Sequence, residues 1–145
     1  MKDEYRNTVC YIDTNIFVYM HDNSDMRKRD ISTELYSFFL NTGRGRISVQ
    51  VISEWRNVMA RKYSDMMSSE VRRRFIRYLE IWNPMPITPS VILRADELCE
   101  RYNFSAYDSI HIQCALDMGC EYFLSEDMQD GLVISNMMTI SDPYM

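Results

Sequence analysis

The stretch CYIDTNIFVYM, residues 10 to 20, decides the fold. Thr8–Ile12 reads as a buried strand, and Ile16–Met20 as the start of a helix. Between them stand Asp13, Thr14 and Asn15. A carboxylate at the end of a buried strand is costly unless something compensates its charge. Asp13 is therefore the residue to explain, and the explanation depends on what the rest of the chain brings to that strand end.

The remaining pattern alternates strands with helices. Ile31, Leu35, Phe38 and Phe39 recur at helical spacing, and NTGRG (41–45) ends that helix. Arg46–Val49 reads as a short strand. Val51, Ile52, Trp55, Val58 and Met59 mark the inner face of the next helix, and Val71, Phe75, Tyr78, Leu79 and Trp82 that of another opened by Ser68. NPMPITPS (83–90) breaks the pattern and leaves room for a strand near Met85–Ile87. Thr88 then caps a helix that begins at Pro89. The helix opened by Ser105 is apolar nearly all round and so is predicted buried. Tyr122–Leu124 and Leu132–Ile134 read as strands. This alternation predicts an α/β fold, a three-layer α/β/α sandwich on a mostly parallel sheet of four or five strands. In such sheets ligands bind beyond the carboxyl ends of the strands.

The totals agree. The 145 residues are expected to form one domain, 1–145, and 46% of them are apolar, a globular composition. The charged start MKDEYRNT has no apolar core of a secretory signal, and no segment approaches the roughly 18–20 apolar residues of a membrane span. Four cysteines without a CxxC pair read as buried thiols of a cytoplasmic protein rather than a zinc site. Residues 1–83 hold 14 basic and 11 acidic side chains, whereas 84–145 hold 2 and 10. The 13 arginines against 3 lysines favour a phosphate-bearing partner, because the guanidinium fork matches phosphate.

Four carboxylates fall where the crevice is predicted. Asp13 ends the first strand. Glu54 lies in the first turns of the helix after the second strand, Asp108 in the first turn of the buried helix, and Asp127 just past Tyr122–Leu124. Singly, each has an ordinary explanation. Ser105 and Asp108 form a capping box, Asp127 suits a turn, and Glu54 suits a solvated helix face. Together they repel unless protonated or held by a cation. An all-oxygen set without His or Cys suits Mg²⁺ or Mn²⁺. Asn15 reads as a turn former or as a holder of Asp13 or of a metal-bound water, and Thr14 as a cap of the short helix or a phosphate contact; together they open the site. His111, one turn after Asp108, reads as a packed helix histidine before it reads as a partner of the site. An aspartyl phosphatase of the haloacid dehalogenase type is disfavoured, because Asn15 stands where that chemistry wants a second acid. A receiver domain is disfavoured because no lysine follows Lys62.

The stretches YIDTNIFVY, SVQVISEW, SAYDSIHIQCAL and FLSEDMQDG resemble, in order and over nearly the whole chain, the PIN-domain ribonucleases, specifically the VapC-type toxins of toxin–antitoxin pairs. The resemblance implies a metal-dependent endoribonuclease using one or two Mg²⁺ or Mn²⁺ ions. Asp13, Glu54, Asp108 and Asp127 are its acidic quartet, and Asn15 and Ser125 its accessory residues; Thr14 and Ser105, beside Asp13 and Asp108, are further accessory candidates. It further implies an RNA substrate (transfer RNA at the family level), a homodimer, and a small antitoxin; a terminal segment of that antitoxin is expected to wrap the protein and insert near the acidic pocket, suited by exposed apolar surface on the helices carrying Ile31–Phe39 and Val51–Met59. Arg27, Lys28, Arg29, Arg44, Arg46, Arg72, Arg73 and Arg77 are candidates for the RNA backbone. The rival expectation is a catalytically silent module of the same fold that binds RNA or protein.

Overall fold

The computed structural model describes residues 1–145. A five-stranded sheet forms its centre, built from β1 (Cys10–Ile12), β2 (Gly45–Arg46), β3 (Tyr122–Leu124), β4 (Val133–Ile134) and β5 (Met138–Ser141). The spatial order is β2-β1-β3-β5-β4, and all pairs are parallel except β4–β5. Six helices surround it: α1 (Thr14–Tyr19), α2 (Met26–Thr42), α3 (Val49–Lys62), α4 (Ser69–Glu80), α5 (Pro89–Tyr102) and α6 (Ala106–Asp117). α1 packs on α2 and α3, α3 on α4, and α5 on α6. The architecture is the expected α/β sandwich, at the upper of the two strand counts.

Local chemistry sets the boundaries. Asp25, Ser68, Thr88 and Ser105 each accept a backbone N–H from the first turn of the helix they precede. Gly43, at φ +68°, ends α2 in the left-handed conformation. Two residues on, Gly45 lies under Trp82: a Cβ there would sit 2.2 Å from the indole Cζ3 and 2.8 Å from Phe39 Cβ. An aromatic cluster of Phe17, Tyr36, Trp55, Phe75 and Trp82 then joins α1–α4, with centroid separations of 4.7 to 6.2 Å.

Four expectations change. Val71 and Tyr78, read as part of the inner face of α4, are exposed, and only Phe75 and Leu79 of that helix are buried. The strand foreseen near Met85–Ile87 is a single parallel bridge, Ser48 to Met85. Asn83, two residues before the bridge, takes a positive φ of 51°, so the chain leaves the extended conformation there and the ladder is not continued. The second strand is Gly45–Arg46, and α3 already begins at Val49. β5 was not foreseen. It pairs with β4 across a turn in which Ser135 and Asn136 take positive φ of 52° and 55°, a tight hairpin connection.

Candidate active site

The chain runs from β1 to β2 on one side and then crosses to β3 on the other side of β1. The crevice at this reversal lies beyond the carboxyl ends of β1 and β3. There a cleft of about 400 Å³ is lined by Asp13, Thr14, Asn15, Glu54, Asp108 and Asp127, with Asn57 and Lys62 on its α3 wall. All four predicted acids therefore line one cavity. A larger depression, about 470 Å³, lies over α5 and α6 around Arg94 and Asp117 and holds none of the four.

Each acid has a specific restraint. Asp13 ends β1, where its backbone N–H continues the ladder to Leu124 O at 3.0 Å. Its Oδ1 accepts the Thr14 N–H at 2.7 Å, and its Oδ2 accepts the Ser125 hydroxyl at 2.7 Å. Ser125 Oγ in turn accepts the Asp127 N–H at 3.1 Å, so one hydroxyl, fully buried, spaces two of the acids. Asn15 Nδ2 donates to Asp127 Oδ2 at 2.9 Å. Asp108 opens α6, and its N–H is taken by Ser105 Oγ at 3.1 Å. That is one half of the capping box. The return bond from the Ser105 N–H is not made, which leaves the Asp108 carboxylate to the cleft. Ser105 itself is an exposed cap and does not line the cavity.

Glu54 is held by a residue that spacing left ambiguous. His111 Nε2 donates to Glu54 Oε2 at 2.7 Å and lies 3.0 Å from Oε1. Thr14 Oγ1 and Gln50 Nε2 add longer bonds of 3.2 and 3.4 Å. The packed-histidine reading is right about burial, since only 1% of the imidazole side chain is exposed, but incomplete about role. The same ring lies 3.9 Å from Asp13 Oδ1.

The electrostatics follow from this geometry. Burial raises the Asp13 carboxyl above its usual range, and the lowering effects of His111, Ser125 and the Thr14 N–H do not cancel it. Burial also works to raise Glu54, whose side chain is 35% exposed, but the His111 bond and charge outweigh it and hold the carboxyl below its usual range. His111 is pushed down by burial, yet the bond to Glu54 and the charges of Asp13, Glu54 and Asp108 raise it overall.

These residues fit a hard divalent cation. Asp13 is ionisable, desolvated and short of compensating charge. The Asn15 Oδ1 is a buried acceptor without a donor. The Asp108 carboxylate is unclaimed, and every available donor atom is oxygen. No three His, Cys, Asp or Glu side chains are already converged around one point. Ser125 and Thr14 occupy Asp13, Asn15 occupies Asp127 and His111 occupies Glu54.

The candidate cations for RNA divide in two. Arg27 donates to Tyr144 O, Lys28 pairs with Glu126, Arg29 donates to Asn23 Oδ1, Arg44 to Arg6 O, and Arg46 to Gly43 O and Gly45 O. Arg73 and Arg77 stand exposed on α4 beside the Arg74–Glu70 pair, and Arg72 is half-buried. Lys62 and Asn57 were not singled out from the sequence, although they follow Glu54 at i+8 and i+3 on the cleft-facing stripe of α3. The apolar faces Ile31–Phe39 and Val51–Met59 turn inward: Leu35, Phe39, Val51, Trp55 and Met59 are buried in the helical layer. The exposed apolar residues near them are instead Met26, Leu40, Met66, Val71, Tyr78 and Ile81.

A mostly parallel α/β sheet whose topological switch is ringed by four carboxylates and an Asn, brought there by strand ends and by α3 and α6, defines an α/β protein with one acidic cleft. Residues 10–129 match the family model of the PIN domain, and the chain belongs to that family. No curated protein matches the chain. Among solved structures it is similar to a chain of a toxin–antitoxin complex from Klebsiella pneumoniae, with a TM-score of 0.67 and 20% identity over 93% of this chain and 98% of that one. No helix is long and apolar enough to cross a membrane.

Proposed function

We propose that the protein is a metal-dependent endoribonuclease, the toxin of a toxin–antitoxin module, working in the cytoplasm as a single domain over residues 1–145. The observation that carries this reading is the convergence of Asp13, Glu54, Asp108 and Asp127 on one cleft at the switch point of a PIN fold. Asp13, Asp108 and Asp127 hold one or two Mg²⁺ or Mn²⁺ ions, and Glu54 completes the set. The bound cation supplies a water acidified toward neutral pH and positive charge opposite the phosphate. The protein's own residues do the rest. Ser125 fixes the spacing of Asp13 and Asp127, Asn15 orients Asp127 and offers its free Oδ1, and Thr14 steadies Glu54. Lys62 on the cleft wall, and Arg73 and Arg77 on α4, meet the phosphate backbone. Water adds to phosphorus and the 3′ oxygen leaves, which gives 5′-phosphate and 3′-hydroxyl ends.

The partner reading rests on the fold likeness to a chain solved in a toxin–antitoxin complex. The antitoxin segment is assigned to the exposed apolar residues flanking α2–α4, and a homodimer is the expected assembly. Transfer RNA is the first substrate to test. Purified protein incubated with pooled tRNA and with total RNA should cut in Mg²⁺ or Mn²⁺ and stop in EDTA, leaving ends that a 5′-phosphate-dependent exonuclease degrades. Cleavage indifferent to EDTA, or products with 5′-hydroxyl ends, would remove the metal-hydrolysis reading.

A further inference from the structure

We propose that His111 is a positioning residue for Glu54, locked in place by Tyr11 and Ser48; this role rests on the nuclease reading above. Four short contacts form one chain. Ser48 Oγ lies 2.8 Å from Tyr11 Oη, Tyr11 Oη lies 2.7 Å from His111 Nδ1, and His111 Nε2 lies 2.7 and 3.0 Å from the two Glu54 oxygens. An ionised carboxylate only accepts, so Nε2 carries the hydrogen and donates to Glu54. With a neutral ring, Nδ1 accepts the Tyr11 hydroxyl, and Tyr11 accepts from Ser48. Every polar atom of the chain is then used.

The path is also a closed loop through the fold. Ser48 immediately precedes α3, Tyr11 lies on β1, His111 is on α6, and Glu54 returns to α3. The three elements so tied are those that carry Glu54, Asp13 and Asp108. Tyr11 is anchored at the sheet centre by a parallel stack on Phe123, with centroids 5.0 Å apart at 8°. Ser48 and Tyr11 are completely buried and His111 nearly so. Packing alone is served by apolar side chains. Three buried polar groups are tolerable only as a fully satisfied network, and this one ends on a cleft carboxylate. In metal sites, partners that orient a ligand typically change metal affinity 10–100-fold when removed.

The test is Mn²⁺ affinity by titration calorimetry, with a thermal melt to confirm folding. Tyr11→Phe keeps the ring and its stack and removes only the hydroxyl. Together with His111→Ala and His111→Gln, it is measured with Glu54 present and in Glu54→Gln. Tyr11→Phe and His111→Ala should each weaken Mn²⁺ by about tenfold when Glu54 is present. In Glu54→Gln the further loss should shrink to under about twofold, because both residues act through Glu54. His111→Gln, whose amide returns a donor, should recover at least about a third of the lost affinity. On RNA, the same variants should lower kcat more than they raise KM. Equal losses in both backgrounds, or no loss in Tyr11→Phe, overturn the positioning role and leave the nuclease reading intact. If Glu54→Gln binds no Mn²⁺, the rescue decides, and equal affinities of His111→Gln and His111→Ala overturn the role. A wild type that binds no Mn²⁺ overturns the nuclease reading and the positioning role with it.

Discussion

Ser125→Ala tests the logic of the site with the smallest change. The hydroxyl is fully buried and makes two bonds, donating to Asp13 Oδ2 at 2.7 Å and accepting the Asp127 N–H at 3.1 Å. A bond to an ionised carboxylate contributes about 1.5–3 kcal/mol, and the stranded N–H adds about 1 kcal/mol. The loss expected in metal-free protein at pH 8 is thus about 2–4 kcal/mol. For a chain of this length each kcal/mol lowers Tm by about 3–4 °C, so calorimetry should show a fall of roughly 6–16 °C. The loss should shrink as the pH is lowered. Burial raises the Asp13 carboxyl, so acid favours its neutral form, and a neutral carboxyl depends less on the donor. Mn²⁺ affinity should fall by about 10–100-fold, because the spacing of Asp13 and Asp127 is no longer fixed. Ser68→Ala is the control. It removes an exposed helix cap, which accepts the Val71 N–H at 3.2 Å and is worth about 1 kcal/mol, and should leave Mn²⁺ affinity unchanged. A Ser125→Ala protein within about 2 °C of wild type and with unaltered Mn²⁺ affinity refutes the reasoning.

Other expectations follow from the same geometry. Asp13 and His111 both have raised folded-state values, so their contributions are present below their unfolded values and are lost as pH rises through the raised ones. Glu54, held low, acts oppositely, and its contribution is lost only as pH falls through its lowered value. Metal-free protein in EDTA should therefore melt higher near pH 6 than near pH 8, and Mn²⁺ should remove the difference; a melt that climbs steadily from pH 6 to 8 in EDTA contradicts this balance. Asp13→Asn keeps an acceptor for the Thr14 N–H and removes the buried charge. In EDTA at pH 8 its melting temperature should equal or exceed that of wild type, and a clear drop would show that Asp13 is not held under electrostatic strain. Gly45→Ala should lose about 1–3 kcal/mol in urea unfolding, because its Cβ meets the Trp82 ring; no loss would place the indole elsewhere. Replacing Arg73 and Arg77 with Ala should lower the salt dependence of single-stranded RNA binding by roughly one to two counterions, and an unchanged slope would free that face of the role.

The strand that opens the fold and its acid were legible because a carboxylate in an apolar run has few explanations. Tyr122–Leu124 could be read to the residue, as could the caps Ser68, Thr88 and Ser105, since each marks a local chemical event. The four acids could be placed in one cleft because switch-point geometry converts strand ends into neighbours. The hydrogen-bonded chain through Tyr11, Ser48 and His111 was not legible. Its members lie 37 to 100 residues apart, and nothing local marks a buried tyrosine as a donor to a distant imidazole. Which residues of α2 and α3 remain exposed for a partner was not legible, because periodicity finds an apolar stripe without saying what covers it. Here the neighbouring helices cover it.

In the proposed mechanism Asp13, Asp108 and Asp127 hold a hard divalent cation in the cleft at the switch point. Crystals grown or soaked in Mn²⁺ and measured at the manganese edge address it directly. The expected result is an anomalous peak in contact with Asp13 and at least one of Asp108 and Asp127, absent from Asp13→Asn crystals. Manganese density elsewhere on the protein, or none in a cleft whose carboxylates are well ordered, would contradict it.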